Sequence, residues 1–187
     1  MLNLAKKIGA TALLGLAGCS SSPTESFTHF VGDPPETVYI DDKKISQAIV
    51  PLVIMPLGDK NSESCRFSGK IILPENLTYA SYVEKILTTS LYLSDRLAKA
   101  SNKNAPRLKI ILNNVNFESY SGRWIMWGSI YVNESKITNI FSSLTFKSGF
   151  DNNIACSCAI DSFDNLCRKF ILQIISHPKV IYAIKNG

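Results

Sequence analysis

Side chains able to do chemistry are sparse in this 187-residue chain, which holds five cysteines and two histidines. Cys19 follows an apolar run, Cys65 stands alone, Cys156 and Cys158 form a Cys-x-Cys pair, and Cys167 comes after them. A thiol can serve as a nucleophile, a metal ligand or half of a disulfide, and the spacing decides which. Cys-x-Cys is not the Cys-x-x-Cys of a thioredoxin-like redox pair, and no matching half completes a zinc ribbon. No metal site is therefore expected. His29 lies in a Ser/Thr/Pro-rich stretch and His177 beside Pro178, so neither is poised for acid–base work. The chain has no Gly-x-Ser-x-Gly elbow, no His-Glu-x-x-His and no phosphate-cradling glycine loop. Asp41, Asp42 and Glu118 are carboxylates whose separation in space cannot be read from spacing, as glycosidic chemistry would require. The expectation is a protein that is not an enzyme and takes no cofactor, with a hydrolase as the weakest alternative.

Cys19 belongs to a different pattern. Lys6 and Lys7 precede an apolar run from Ile8 to Leu16, and Leu16-Ala17-Gly18-Cys19 closes it before Ser20-Ser21-Ser22-Pro23. The run is too short to span a bilayer, which takes roughly 20 apolar residues, and has the proportions of a signal-peptide h-region. These four residues form a lipobox, and the segment resembles the signal peptide of a bacterial lipoprotein. The resemblance implies that the Cys19 thiol receives a diacylglycerol, that residues 1–18 are removed, and that the new N-terminus gains a palmitate-type acyl chain. Several acyl chains on one cysteine hold firmly, because each buried CH₂ contributes about 0.8 kcal/mol. Ser20, in place of the aspartate that resembles an inner-membrane retention signal, favours the outer membrane, with the domain facing the periplasm or the cell surface.

Loss of residues 1–18 removes Lys6 and Lys7 and no acid, so the net charge of +5 falls to +3. The basic residues are scattered along the sequence without an arginine cluster or a nucleic-acid module, which argues against nucleic acid as a partner. Export also bears on the other cysteines. Cys65, Cys156, Cys158 and Cys167 are an even set in an oxidising compartment, which predicts two disulfides. A Cys156–Cys158 ring would be strained, so one of that pair is expected to bond Cys65 and the other Cys167.

The elements that must position these residues follow from the apolar pattern. Residues 19–37 are rich in Ser, Thr, Pro and Gly and read as the lipidated cysteine plus a flexible tether, leaving 38–187 as a single domain of ordinary size. Strands are expected at Ile49–Met55 and Arg66–Leu73, joined as a hairpin through the polar Gly58–Ser64. Ser81 and Glu84 fit a capping box for a helix from Tyr82 to about Ala100. Leu108–Tyr120, Arg123–Asn133 and Ile137–Phe146 read as an antiparallel meander with turns at Ser121-Gly122 and Glu134-Ser135. A last helix is expected from about Ala159 to Ser176, stopped by His177-Pro178.

This pattern predicts an α+β fold: a mainly antiparallel sheet of about five strands with two helices packed on one face. In the middle strand of the meander, Trp124, Met126, Ile130 and Val132 alternate with Ile125, Trp127 and Tyr131, so both faces are apolar. If helices cover one face, Ile125, Trp127 and Tyr131 form an exposed patch suited to docking a partner. The element order resembles in architecture several small envelope lipoproteins, among them the lipoprotein of the lipopolysaccharide-transport complex and auxiliary lipoproteins of envelope transport systems. The expected function is that of a membrane-anchored accessory or scaffold with an envelope protein partner. The alternative is a binding module for a host ligand, a glycan or a peptidoglycan enzyme.

Overall fold

The computed structural model describes residues 28–31, 35–41, 44–66, 69–148 and 151–186. The signal peptide and Cys19 lie outside the described residues. Seven strands and three α-helices follow one another as β1 (Thr28–Val31), β2 (Val50–Ile54), β3 (Ser62–Cys65), β4 (Gly69–Ile72), α1 (Tyr79–Leu93), β5 (Arg107–Glu118), β6 (Arg123–Val132), β7 (Ser135–Thr145), α2 (Asn152–Ile175) and α3 (Pro178–Asn186). The main sheet has the order β2-β5-β6-β7, and a second, three-stranded sheet the order β1-β4-β3.

The meander forms as the apolar alternation predicts, with β5–β6 and β6–β7 antiparallel. The β6–β7 turn falls one residue earlier than expected, on Asn133 and Glu134, both with positive φ, the backbone that a tight hairpin of matching twist requires. The first half of the fold departs from the sequence reading. β2 does not pair with the strand after it; it joins the main sheet parallel to β5, with Val53 opposite Ile110. The hairpin is instead β3–β4, because the polar stretch expected as a turn supplies Ser62–Ser64 of β3, an edge strand that needs few apolar residues. The main sheet is thus mainly antiparallel as expected, with β5–β6 and β6–β7 antiparallel, but it has four strands rather than about five and its β2–β5 pair is parallel. β1 falls inside the stretch assigned by composition to the tether. It pairs parallel to β4, since four backbone-paired residues can form a strand without an apolar signature.

Helix ends are corrected in the same way. The α1 cap is Thr78, whose oxygen accepts from Ser81 N at 3.3 Å, and not Ser81. The helix stops at Leu93 because Asp95 takes the left-handed region (φ 53°), after which residues 96–98 run extended beside Ile49. Asp151 caps α2 by accepting from Asn153 N and Ile154 N, so the helix begins seven residues before the expected Ala159. α2 ends at Ile175 with Ser176 as its C-cap, where the stop at His177-Pro178 was expected, and Pro178 then opens α3, where its missing N–H costs no hydrogen bond.

All three helices contact one face of the main sheet, and the core lies between them. Trp124 is fully buried there, its Nε1 donating to Ala159 O at 2.8 Å and its ring 4.8 Å from that of Phe163. Tyr79 of α1 packs on both rings. Gly128 lets α2 come close: a Cβ there would lie 2.8 Å from Phe170 Cζ and 3.1 Å from Ile111 O. Among the described residues, no helix is long and apolar enough to cross a membrane.

Candidate functional site

The cysteines are the first candidate site. Cys65 at the end of β3 and Cys156 in the second turn of α2 form a disulfide, closing 91 residues of chain. It ties the small sheet to α2 and is reinforced by Arg66, which donates to Asn152 Oδ1 at 3.0 Å. The expected second bridge through Cys167 does not form. Because α2 starts early, Cys158 and Cys167 share one helix, separated by about 13.5 Å at 1.5 Å per residue, twice the reach of a disulfide. Cys167 is a buried free thiol, its ionisation pushed up by burial and by the nearby Asp164 carboxylate. Such a thiol is inert. Cys158 is buried on the same helix.

The other chemistry-bearing residues are tied into structure. The Glu118 carboxylate accepts from Ser121 Oγ (2.8 Å) and from Arg123 Nη2 (2.9 Å) across the β5–β6 turn, and these contacts hold its ionisation below the usual range. Asp41 lies 4.0 Å from Lys44, and Asp42 is outside the described residues. His177 sits at the α2–α3 junction with its Nδ1 buried and unbonded among the described residues. His29 lies in β1. These groups do not converge on a common point, and no three His, Cys, Asp or Glu side chains among the described residues could share a metal ion.

A part-buried polar cluster that spacing could not reveal joins the chain after β1 to the helices. Asp164 Oδ1 accepts from Tyr82 Oη (2.9 Å) and from Glu36 N (3.3 Å), while Arg168 Nε lies 2.9 Å from Oδ2 without the alignment of a hydrogen bond. Burial raises the Asp164 ionisation despite the Tyr82 hydrogen bond and the Arg168 charge. The same burial raises that of Tyr82. Val38 N donates to Ser90 Oγ two residues further on, so residues 36–38 are stitched along α1 and α2. This is a docked segment rather than a free tether.

The second candidate is the sheet face away from the helices. Ile125, Trp127 and Tyr131 of β6 all point to it, as the alternation implies, with Trp127 43% exposed. Pairing adds three residues that a single-strand reading could not supply. Phe141 of β7 stands directly opposite Trp127 and is 61% exposed, and Leu52 and Ile54 of β2 extend the apolar surface to the far edge. Their signal was present only as alternation within short runs, and register alone brings them together. Between them run polar groups, in which Asn113 Nδ2 donates to Ser129 Oγ and Ser129 Oγ donates to Asn139 Oδ1, both at 2.9 Å. Lys109 lies over the Tyr131 ring and pairs with Glu134. Of the described residues, only the connection before β5 reaches this face, where Ala98 and Ala105 cover Val50.

No family model matches the chain, and no curated protein matches it significantly. Solved structures do. A Xanthomonas campestris protein of the DUF330 family model aligns over 79% of this chain and 95% of its own, at 10% identity and a TM-score of 0.50. The likeness is one of fold. An uncharacterised protein aligns over 76% of this chain and 99% of its own at 15% identity, with a TM-score of 0.40. A candidate lipoprotein from Caulobacter crescentus CB15 covers 54% of this chain and 83% of its own at 14% identity and a TM-score of 0.36. The Xanthomonas campestris protein thus shares the fold with little sequence in common.

Proposed function

We propose that this chain is a lipid-anchored accessory protein of the bacterial envelope, held in the outer membrane through acylated Cys19 and docking a protein partner on the open face of its main sheet. The observation that carries the docking half is the uncovered aromatic surface centred on Trp127 and Phe141, in a domain whose helices all lie on the other side. Exposed apolar surface rimmed by polar groups marks an interaction site, and aromatic side chains are enriched at the centre of such sites. The lipobox residues support the anchoring half. The Cys65–Cys156 disulfide suits an oxidising compartment. In this reading the protein is not an enzyme, and its carboxylates and thiols are structural.

Two measurements test the halves separately. Cys19→Ser should release the protein from the membrane fraction and block lipid-dependent processing; unchanged retention overturns the anchor. Trp127→Ala combined with Phe141→Ala should abolish envelope cross-links formed from this face while leaving the fold intact, and unchanged cross-links overturn the docking surface.

A further inference from the structure

The charges, scattered in sequence, are gathered in space. β5 starts and β6 ends at the same edge as the β6–β7 turn, and Gln47 Nε2 donates to Lys185 O, which brings α3 and the segment before β2 to that edge. The connection from α1 joins them, with Arg107 Nη2 donating to Ala100 O and Ile49 N to Arg96 O. Lys44, Arg96, Lys99 and Lys103 therefore share one end of the molecule with Arg107, Lys109, Lys136, Lys179 and Lys185. Against them, the described residues of this end offer only Asp41, Asp95 and Glu134. The local surplus exceeds the +3 carried by residues 19–187 as a whole, so the rest of the molecule is negative in sum. Lys99, Lys103, Lys136, Lys179 and Lys185 are exposed, with no carboxylate in ion-pair range among the described residues.

This end also holds a groove of about 620 Å³ between the start of β7 and α3. Val132, Ile137 and Ala183 give it an apolar floor, and Lys136 and Lys179 stand on its walls. A site of this kind takes an apolar side chain flanked by negative ones.

The path of the chain decides what can bring them. Thr28 pairs with Gly69, and Arg66, just before that strand, donates to Ser119 O, so β1 enters at the opposite end, by the β5–β6 turn. Nine residue steps lead from Cys19 to Thr28 and span at most about 32 Å fully extended. The twelve residues of β5 set the two ends up to about 36 Å apart. With Cys19 in a bilayer, the end where β1 enters is the one held nearest to it, and the α3 end lies on the far side.

We propose that the basic α3 end is a second docking site, and that its occupant is an acidic protein segment which sets one apolar side chain in the groove between Lys136 and Lys179. The commitment to protein over anionic lipid rests on the Cys19 anchor of the preceding section; the charge and the groove do not depend on it.

The test uses the full chain in detergent micelles and a peptide library with one fixed leucine and randomised neighbours. Selected peptides should be enriched in Asp and Glu, and their binding should weaken at least tenfold between 50 and 300 mM salt. Lys136→Glu with Lys179→Glu should reduce binding at least tenfold, whereas Lys147→Glu, an exposed lysine beyond the other end of β7, should leave it unchanged. No selection, selection of neutral or basic peptides, or equal loss in the Lys147→Glu protein overturns the proposal. Binding to phosphatidylglycerol vesicles in place of peptides, lost in the same double variant, makes the site a lipid site and also overturns it. Because micelles replace the bilayer, a failed anchor would leave peptide binding unchanged, and failed peptide binding would leave the anchor standing.

Discussion

At the scale of single residues, two tryptophans three positions apart have opposite fates. Trp124 is fully buried, hydrogen-bonded to Ala159 O and surrounded by Phe117, Phe163 and Tyr79; Trp127 is exposed on the open face. Trp124→Ala should lower unfolding free energy by about 3–5 kcal/mol through lost burial and the cavity left behind, while Trp127→Ala should cost less than about 1 kcal/mol. Urea denaturation of both variants checks the difference, and equal losses would mean the open face is covered in solution. Asp164 makes a second prediction, this time in pH. Its ionisation is raised in the folded protein by burial, whereas an unfolded aspartate titrates near 3.9. The folded state therefore binds the proton more tightly. The stabilisation this provides is complete below about pH 4 and is lost as pH rises through the raised folded value. Asp164→Asn keeps an acceptor for Tyr82 and cannot titrate, so wild-type stability should fall relative to this variant across that window. Urea midpoints of the pair measured from pH 3.5 upward supply the comparison, and parallel curves would refute it.

At the scale of elements, what joins the pieces is a disulfide and a glycine. Without the Cys65–Cys156 bridge the unfolded chain regains the entropy of a 91-residue loop, and Cys65→Ser with Cys156→Ser should cost roughly 2–5 kcal/mol. Cys158 is disulfide-bonded as well, so reductant should shift the wild-type urea midpoint at least as far and move the double variant less. Gly128→Ala places a methyl against Phe170 and the Ile111 carbonyl, which should push α2 off the sheet at a cost of about 1–3 kcal/mol. Phe170→Leu in the same chain should recover part of that loss. Sequence disclosed these elements unevenly. The meander was legible because Trp124, Met126, Ile130 and Val132 alternate cleanly over a long strand. The partner of β2 was not, since Val50–Ile54 is short, carries Pro51, and pairs in parallel with a strand more than fifty residues away, a choice no local pattern encodes. The early start of α2 was missed because Asp151 caps a first turn of Asn-Asn-Ile-Ala that has no amphipathic signature. That error alone misassigned Cys167.

At the scale of the whole molecule, the fold sorts its surface into three regions with different tasks. The disulfide end receives β1, the open face presents Trp127 and Phe141, and the α3 end collects lysines that in the sequence lie more than a hundred residues apart. The open face could be glimpsed in the apolar alternation, whereas β1 at the disulfide end was hidden in a stretch whose composition reads as a tether. The third could not, because charge asymmetry is a property of topology. The arrangement has an orientation built into it. If Cys19 is acylated, the short connection to Thr28 holds the β5–β6 turn near the headgroups and points α3 away from them. Tyr120 beside that turn and Tyr182 on α3 are 68% and 70% exposed, so each accepts Trp without disturbing the core. With Trp127→Phe as background and Trp124 as a constant buried signal, Tyr120→Trp should transfer energy to dansyl-labelled headgroups in vesicles carrying the acylated protein. Tyr182→Trp should show little transfer. Equal transfer from both positions would lay the domain flat on the bilayer, and stronger transfer from Tyr182→Trp would invert it, turning the lysines of α3 toward the anchoring membrane and away from any partner.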